Sequence, residues 1–173
     1  MDKKLEEALN NVELTYKELV EIANDMLNTL FGPINNIVST LSTTVNSLSI
    51  DQIRDYILQL QLKAFEISET KEKAALKAEL AETLQKEKFA TSFNGFEGSA
   101  AVKEKLALIE ASPETVSETL YNLVANLLKT KLDQLHRLVA ALTSILMSRM
   151  SEAKFMNAGT SVGQPGDKTY LTE

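Results

Sequence analysis

The sequence predicts an all-α fold: a bundle of long helices with heptad-like apolar stripes, forming a homo-oligomer and ending in a flexible C-terminal tail. Apolar residues recur at alternating steps of four and three along much of the chain, and no segment has the every-second-residue alternation typical of a strand. The chain has 173 residues, of which 44% are hydrophobic and 24% are charged. This length and composition suit one structural unit.

A first helix is predicted from about Asp2 to Phe31. Gly32 and Pro33 are expected to end it, because proline lacks the amide hydrogen that a helix interior needs. A stripe that repeats every 3.5 residues lets one helix pack along another for its whole length. We therefore predict that this helix mediates oligomerisation through Leu5, Leu9, Val12, Tyr16, Leu19 and Met26.

Two further helices are expected between Ile34 and Phe89. The stripe of the first is Ile34, Val38, Leu41, Val45 and Leu48. Ser49 to Gln52 match a capping box, and Leu48 and Ile53 are placed as a hydrophobic staple, so a long helix should begin there. Its stripe is expected at Ile53, Ile57, Leu60, Ala64, Ile67, Leu76, Leu80 and Leu84.

The segment Thr91 to Ser99 has two glycines and an Asn-Gly pair, which predict a loop. A short helix from Ala100 to Glu110 follows. Ser112 and Pro113 then supply an N-cap and a proline at the first helical position, so a last helix should run from Pro113 to about Phe155. At about 60 Å, it should either fold back near Lys129 to Lys131 or be covered by other subunits. From Asn157 onward the composition predicts a flexible tail.

The charge distribution separates the N-terminal part of the chain from the rest. Residues 1–60 contain four cations and nine anions, whereas residues 61–154 contain thirteen of each. We therefore expect an acidic helical segment at 1–49 for oligomerisation or docking, a helical body at 50–156 and the tail at 157–173. The net charge of −6 argues against a protein that coats nucleic acid by bulk electrostatics.

No pattern for catalysis or cofactor binding is found. The chain has no cysteine, its only histidine is His136, and no phosphate-binding glycine loop or nucleophile motif occurs. We expect His136 on a helix surface or interface, and we predict no enzymatic activity, no cofactor, no metal and no small-molecule substrate. No apolar run approaches the length of a membrane span and the N-terminus does not resemble a signal peptide, so a cytoplasmic protein without membrane contact is expected.

One group of residues combines cations and aromatic rings in the way that single-stranded nucleic acid requires. Lys86, Lys88, Phe89, Phe93 and Phe96 surround the glycine loop. Bases stack on aromatic rings while ammonium groups follow the phosphates. The alternative, which we prefer, is that the phenylalanines anchor the loop on the helices. Arg137, Arg149 and Lys154 form a smaller set that faces either an anionic groove or solvent.

The order of elements resembles the UvsY-type phage recombination mediators, and also a wider set of small phage helical proteins, over about Ile50 to Lys154. The likeness rests on AALKA at Ala74–Ala78, the aromatic glycine loop, the short helix, and LTSILMSR ending at Arg149. It implies a non-enzymatic, ring-forming protein that binds single-stranded DNA and helps to load a RecA-like recombinase onto strands coated by single-strand-binding protein. In that family two basic residues on this stretch contact DNA. The first corresponds to Lys77 in this chain, whereas the position of the second is occupied by the acidic Glu79.

Two functional hypotheses follow. The first is a phage-type accessory protein of recombination or replication in the host cytoplasm, which binds single-stranded DNA through Lys77, Lys86, Lys88, Phe93 and Arg149. The second is a helical protein-binding module, an inhibitor or adaptor, whose acidic N-terminal helix docks on a basic partner. Both predict self-association, because the stripes offer more apolar length than one small bundle needs.

Overall fold

A computed structural model describes residues 16–159. In this range the chain forms α1 (Tyr16–Thr44), α2 (Ile50–Gly95), α3 (Ala100–Glu110) and α4 (Ser112–Gly159), and it contains no strand. The all-α prediction is confirmed. The predicted oligomerisation residues Leu5, Leu9 and Val12, and the tail from residue 160 onward, lie outside the described residues.

The three long helices pack side by side. Contacts between α2 and α4 join Lys88 to Glu114 at one end and Arg54 to Met150 at the other, so these helices are antiparallel. The ring of Phe31 in α1 lies against Lys131 of α4, and the carbonyl of Leu48, in the turn after α1, accepts a hydrogen bond from Arg149 of α4. Residue numbers rise in the same direction along both helices, so α1 is parallel to α4. Helix α3 packs mainly on α2.

Helix α4 is continuous over its 48 residues. It does not fold back near Lys129 to Lys131, and its apolar stripe is covered within the chain by α1 and α2, whose residues share one core with it. The helix also extends past the expected end at Phe155, so that residues 157–159 are helical. At about 70 Å each, α2 and α4 match each other in length, which explains how one chain buries so long a helix.

Gly32 and Pro33 do not end the first helix, contrary to the prediction. Helix α1 passes through both residues, with Pro33 inside it. The buried residues Leu27, Ile34 and Leu41 keep a seven-residue spacing across the proline. Packing of the helix segments on both sides therefore offsets the one hydrogen bond that the proline removes.

The apolar stripe of α1 is buried within its own chain. Leu19, expected to mediate oligomerisation, is only 5% exposed and belongs to the common core. Met26 and Val38, both expected on the stripes, are exposed, and Leu27 is buried beside Met26, whereas Ile34, Leu41 and Leu48 are buried as expected. Tyr16 lies in α1 and is the first residue that the structure describes. The buried residues between Leu19 and Leu48 therefore share one core with those of the helical body.

The capping box at the start of α2 is confirmed. The backbone amide of Gln52 donates to Ser49 Oγ at 3.2 Å, and the backbone amide of Ser49 donates to Gln52 Oε1 at 2.8 Å. Leu48 and Ile53, the expected staple residues, are both buried in the core. A local sequence signal thus fixes the turn between α1 and α2.

The apolar stripe of α2 follows the prediction only in its first half. Ile53, Leu60, Ala64 and Ile67 are buried as expected. Beyond them, the expected Leu76, Leu80 and Leu84 are exposed, and the buried positions are Ala74, Ala78 and Ala81. Alanine has no side chain beyond Cβ, so it permits a close approach of neighbouring helices where leucine would hold them apart.

The loop after α2 is shorter than predicted. Helix α2 continues to Gly95, and only residues 96–99 separate it from α3. Gly98 has a φ of +123°, which side chains rarely allow. Helix α3 has the predicted bounds. Ser112 begins α4, but its hydroxyl donates to the carbonyl of Ile109 at 2.7 Å instead of accepting a bond as an N-cap.

Candidate functional site

The three lysines predicted to bind nucleic acid lie where α2 meets the start of α4, and each faces an acidic or aromatic side chain. Lys77 Nζ lies 5.1 Å from the centroid of the Tyr121 ring. Lys88 Nζ donates to the Glu114 carboxylate at 3.2 Å. Lys86 pairs with Glu82 on its own helix. The structure therefore gathers these cations at one end of the molecule, but two of them, Lys86 and Lys88, are paired with carboxylates.

The environment of Lys86 is distinctly acidic. Its hydrogen bond to Glu82 and the charge of that carboxylate raise the pKa of Lys86 above the ordinary lysine value, and Glu118 of α4 adds to the effect. The charged ammonium form is therefore favoured. A phosphate binding here would have to compete with two carboxylates for the same cation.

Phe93 lies on α2, not in the expected loop. Its ring stacks on that of Phe89, one turn earlier, with centroids 6.1 Å apart and an interplanar angle of 24°. Phe89, Phe93 and Phe96 are all half-buried. This arrangement fits an anchoring role for the rings, while part of each ring surface stays open to solvent.

Arg149 lies at the opposite end of the molecule from the three lysines. Its guanidinium donates to the backbone carbonyls of Val45 at 2.9 Å, Asn46 at 3.0 Å, and Leu48. These groups belong to the turn between α1 and α2. Because Leu48 precedes α2 and Lys77 lies 27 residues after its start, about 40 Å of helix separates Arg149 from the nearest of the lysines. The five predicted residues therefore do not form one patch.

His136 lines an open groove between α2 and α4. The groove has a volume of about 460 Å³ and is otherwise bordered mainly by apolar side chains, including Phe65, Leu132 and Val139. The imidazole is exposed, as expected for a surface position. Among residues 16–159, no group of three or more acidic or histidine side chains is placed to hold a metal ion.

A further exposed surface is an apolar face of α2 that points away from the core. We call it the outer face; its residues are Leu58, Leu62, Phe65, Leu76, Leu80 and Leu84. Steps of three, four and eleven residues bring these side chains to one side of a helix. Phe65 is 72% exposed and Leu76 is 65% exposed. A row of exposed large apolar side chains along one side of a helix is typical of an interaction site.

The sequence contains a signal for the outer face, since α2 carries a second apolar side made of alanines. Ala64, Ala74, Ala78 and Ala81 also follow helical spacing, on the side of α2 opposite the leucines. A helix with two apolar sides can bury only one of them in a bundle of this kind. The larger leucines favour the prediction that Leu76, Leu80 and Leu84 are buried. In the structure the alanine side of α2 is buried against the other helices, and these leucines are exposed.

None of the helices in the described range has a stretch that is both long and apolar enough to cross a bilayer. Comparisons with family models, curated proteins and solved structures gave no match for this chain.

Proposed function

We propose that this chain is a non-enzymatic helical module that acts in the cytoplasm by binding protein, and that the outer face of α2 is its binding surface. The observation that carries the proposal is the exposure of six large apolar side chains on one side of α2, opposite its packed side. Burying such a strip against another helix removes apolar area from water, which is the main driving force of association between helices.

This proposal moves the binding surface away from the N-terminal helix. The stripe of α1 is already used in the core, as the burial of Leu19, Leu27 and Ile34 shows. An acidic surface on α1 could steer a basic partner, but it offers no free apolar stripe to hold one. The outer face supplies that stripe.

Site-specific photo-crosslinking tests the proposal. A benzophenone analogue of phenylalanine replaces Phe65 on the outer face, and in a control chain it replaces Phe155, which is similarly exposed but lies on α4. In bacterial cells producing either chain, we expect a discrete covalent adduct from position 65 and none from position 155. Absence of an adduct at 65, or equal adducts at both positions, would contradict the proposal.

A second candidate function is binding of single-stranded DNA by a phage-type recombination accessory protein. It is favoured by the placement of Lys77, Lys86 and Lys88 at one end of α2, beside the stacked and partly open rings of Phe89 and Phe93. The resemblance to UvsY-type mediators points to the same end of the helix. A recombinase and a single-strand-binding protein would then be its partners.

Fluorescence anisotropy with labelled oligothymidine tests this second candidate. If the three lysines neutralise three phosphates, the association constant should fall about 100-fold for a tenfold rise in salt, because each contact contributes a slope of about −0.7. Replacing all three lysines by glutamine should abolish the salt-dependent binding. The control replaces Lys129, Arg137 and Lys154 by glutamine, which removes the same charge elsewhere. No binding at 20 mM salt would refute this candidate.

A further inference from the structure

The outer face has a spacing that makes it complementary to itself when two copies lie antiparallel. Such an arrangement brings Leu58 opposite Leu84 and Leu62 opposite Leu80, because both pairs share the same midpoint in the chain, at Lys71. Phe65 then falls beside Leu76. The apolar half before the midpoint thus meets the apolar half after it.

The charged centre of the face follows the same symmetry. Glu69 and Lys73 also share Lys71 as their midpoint, and within one chain their side chains form an ion pair at 2.6 Å. In an antiparallel pair of α2 helices, Lys73 of each copy lies opposite Glu69 of the other. The centre therefore keeps two cations facing two anions, which favours this register over one that slides the helices by a turn.

We propose that the occupant of the outer face is a second copy of this chain, bound through α2 in an antiparallel, two-fold arrangement. The inference rests on the proposed function, since it names the partner of that same surface. A two-fold interface uses one patch on both copies, so the patch must be complementary to itself. The shared midpoint of Leu58 and Leu84, Leu62 and Leu80, and Glu69 and Lys73 meets that requirement.

Acidic side chains oppose the pairing at two places, and the one nearest the centre provides a specific test. Asp55 and Glu87 share Lys71 as their midpoint, so Asp55 of each copy lies opposite Glu87 of the other at the ends of the outer face. Glu72 lies one residue from the midpoint and on the same side of α2 as Glu69, so its two copies come close together across the axis. Like charges facing each other weaken an interface. Glu72→Gln should therefore tighten the dimer by several-fold in dissociation constant, an effect with no reason to occur if α2 is not the interface.

Light scattering measures the assembly directly. The native chain should have twice the monomer mass of 19.1 kDa at micromolar concentration. Leu62 and Leu80 are each 58% exposed, so replacing both by glutamine should give a folded monomer. The control replaces Ile109 and Met147, which are 62% and 60% exposed but lie off the outer face, and it should stay dimeric. Circular dichroism confirms that all variants keep their helix content.

Disulfide formation reports the orientation, and the chain offers a clean background because it has no cysteine. A Leu62→Cys chain mixed with a Leu80→Cys chain should crosslink efficiently, whereas each chain alone should not. Efficient crosslinking of each chain with itself would show a parallel pair and overturn this inference, while leaving the outer face as a protein-binding surface.

The remaining outcomes separate the inference from the proposed function. A native chain that stays monomeric at 100 µM overturns the inference, as does a control variant that loses the dimer to the same extent as the outer-face variant. If the chain is monomeric and the photo-crosslinker at Phe65 still gives an adduct with a different protein, the proposed function holds with another partner. If no adduct forms either, both fail.

Discussion

Replacing Arg149 by methionine should destabilise the folded chain by about 2 kcal/mol. The guanidinium donates to three carbonyls of the turn between α1 and α2, two of these bonds being part-buried and the one to Asn46 exposed. Water can replace the donor at an exposed carbonyl at little cost. The two part-buried bonds should contribute about 1 kcal/mol each, the usual net value for a hydrogen bond. Methionine keeps most of the apolar stem but donates nothing.

Urea unfolding followed by circular dichroism at 222 nm measures this cost. With a slope of about 2 kcal/mol/M, the midpoint should fall by about 1 M at an unchanged slope. The matched control is Arg137→Met, at an exposed position on the same helix, which should change the stability by less than about 0.5 kcal/mol. Equal midpoints for the two variants would refute the conclusion that Arg149 stabilises the turn between α1 and α2. Arg149 would then remain a candidate for binding phosphate.

Three further substitutions test local features of the fold by the same measurement. Pro33→Ala should raise the stability by about 1 kcal/mol or more, since it restores a helix hydrogen bond at a position where proline is intrinsically poor; a loss would show that α1 depends on the proline. Ser49→Ala should cost about 1 kcal/mol by removing half of the capping box, and no change would mean that the cap does not fix the turn. Gly98→Ala should cost about 1–2 kcal/mol because of its positive φ. Gly95→Ala, where an added Cβ meets no atom within 4 Å, is its control and should not destabilise the fold.

Features set by neighbouring residues were predictable from the sequence. The capping box needs only Ser49 and Gln52, and it forms as expected. Helix α3 has the predicted bounds, and α4 begins beside the predicted Pro113, although the hydroxyl of Ser112 does not cap the helix. Gly32 and Pro33 are also a local signal, but the outcome there depends on Leu27 and Ile34 packing on another helix. The local preference of Gly32 and Pro33 predicts the end of the helix, but tertiary packing continues the helix through both residues.

The candidate site was less predictable because it depends on which side of α2 is buried. Leucine is more hydrophobic than alanine, so the sequence favours Leu76 as a core residue. The observed choice of Ala74 follows from how closely α2 approaches its neighbours, which is a property of the assembled bundle. Arg149 illustrates the same limit, because its carbonyl partners lie about a hundred positions earlier in the chain.

The length of α2 and α4 makes the two ends of the bundle electrically independent. The 46 residues of α2 extend for about 70 Å, whereas the field of an exposed charge decays over about 8 Å at physiological ionic strength. A change of charge beside Lys88, such as a bound phosphate, is therefore not felt at the turn held by Arg149. Any signal that passes between the two ends has to travel through the packing of the helices.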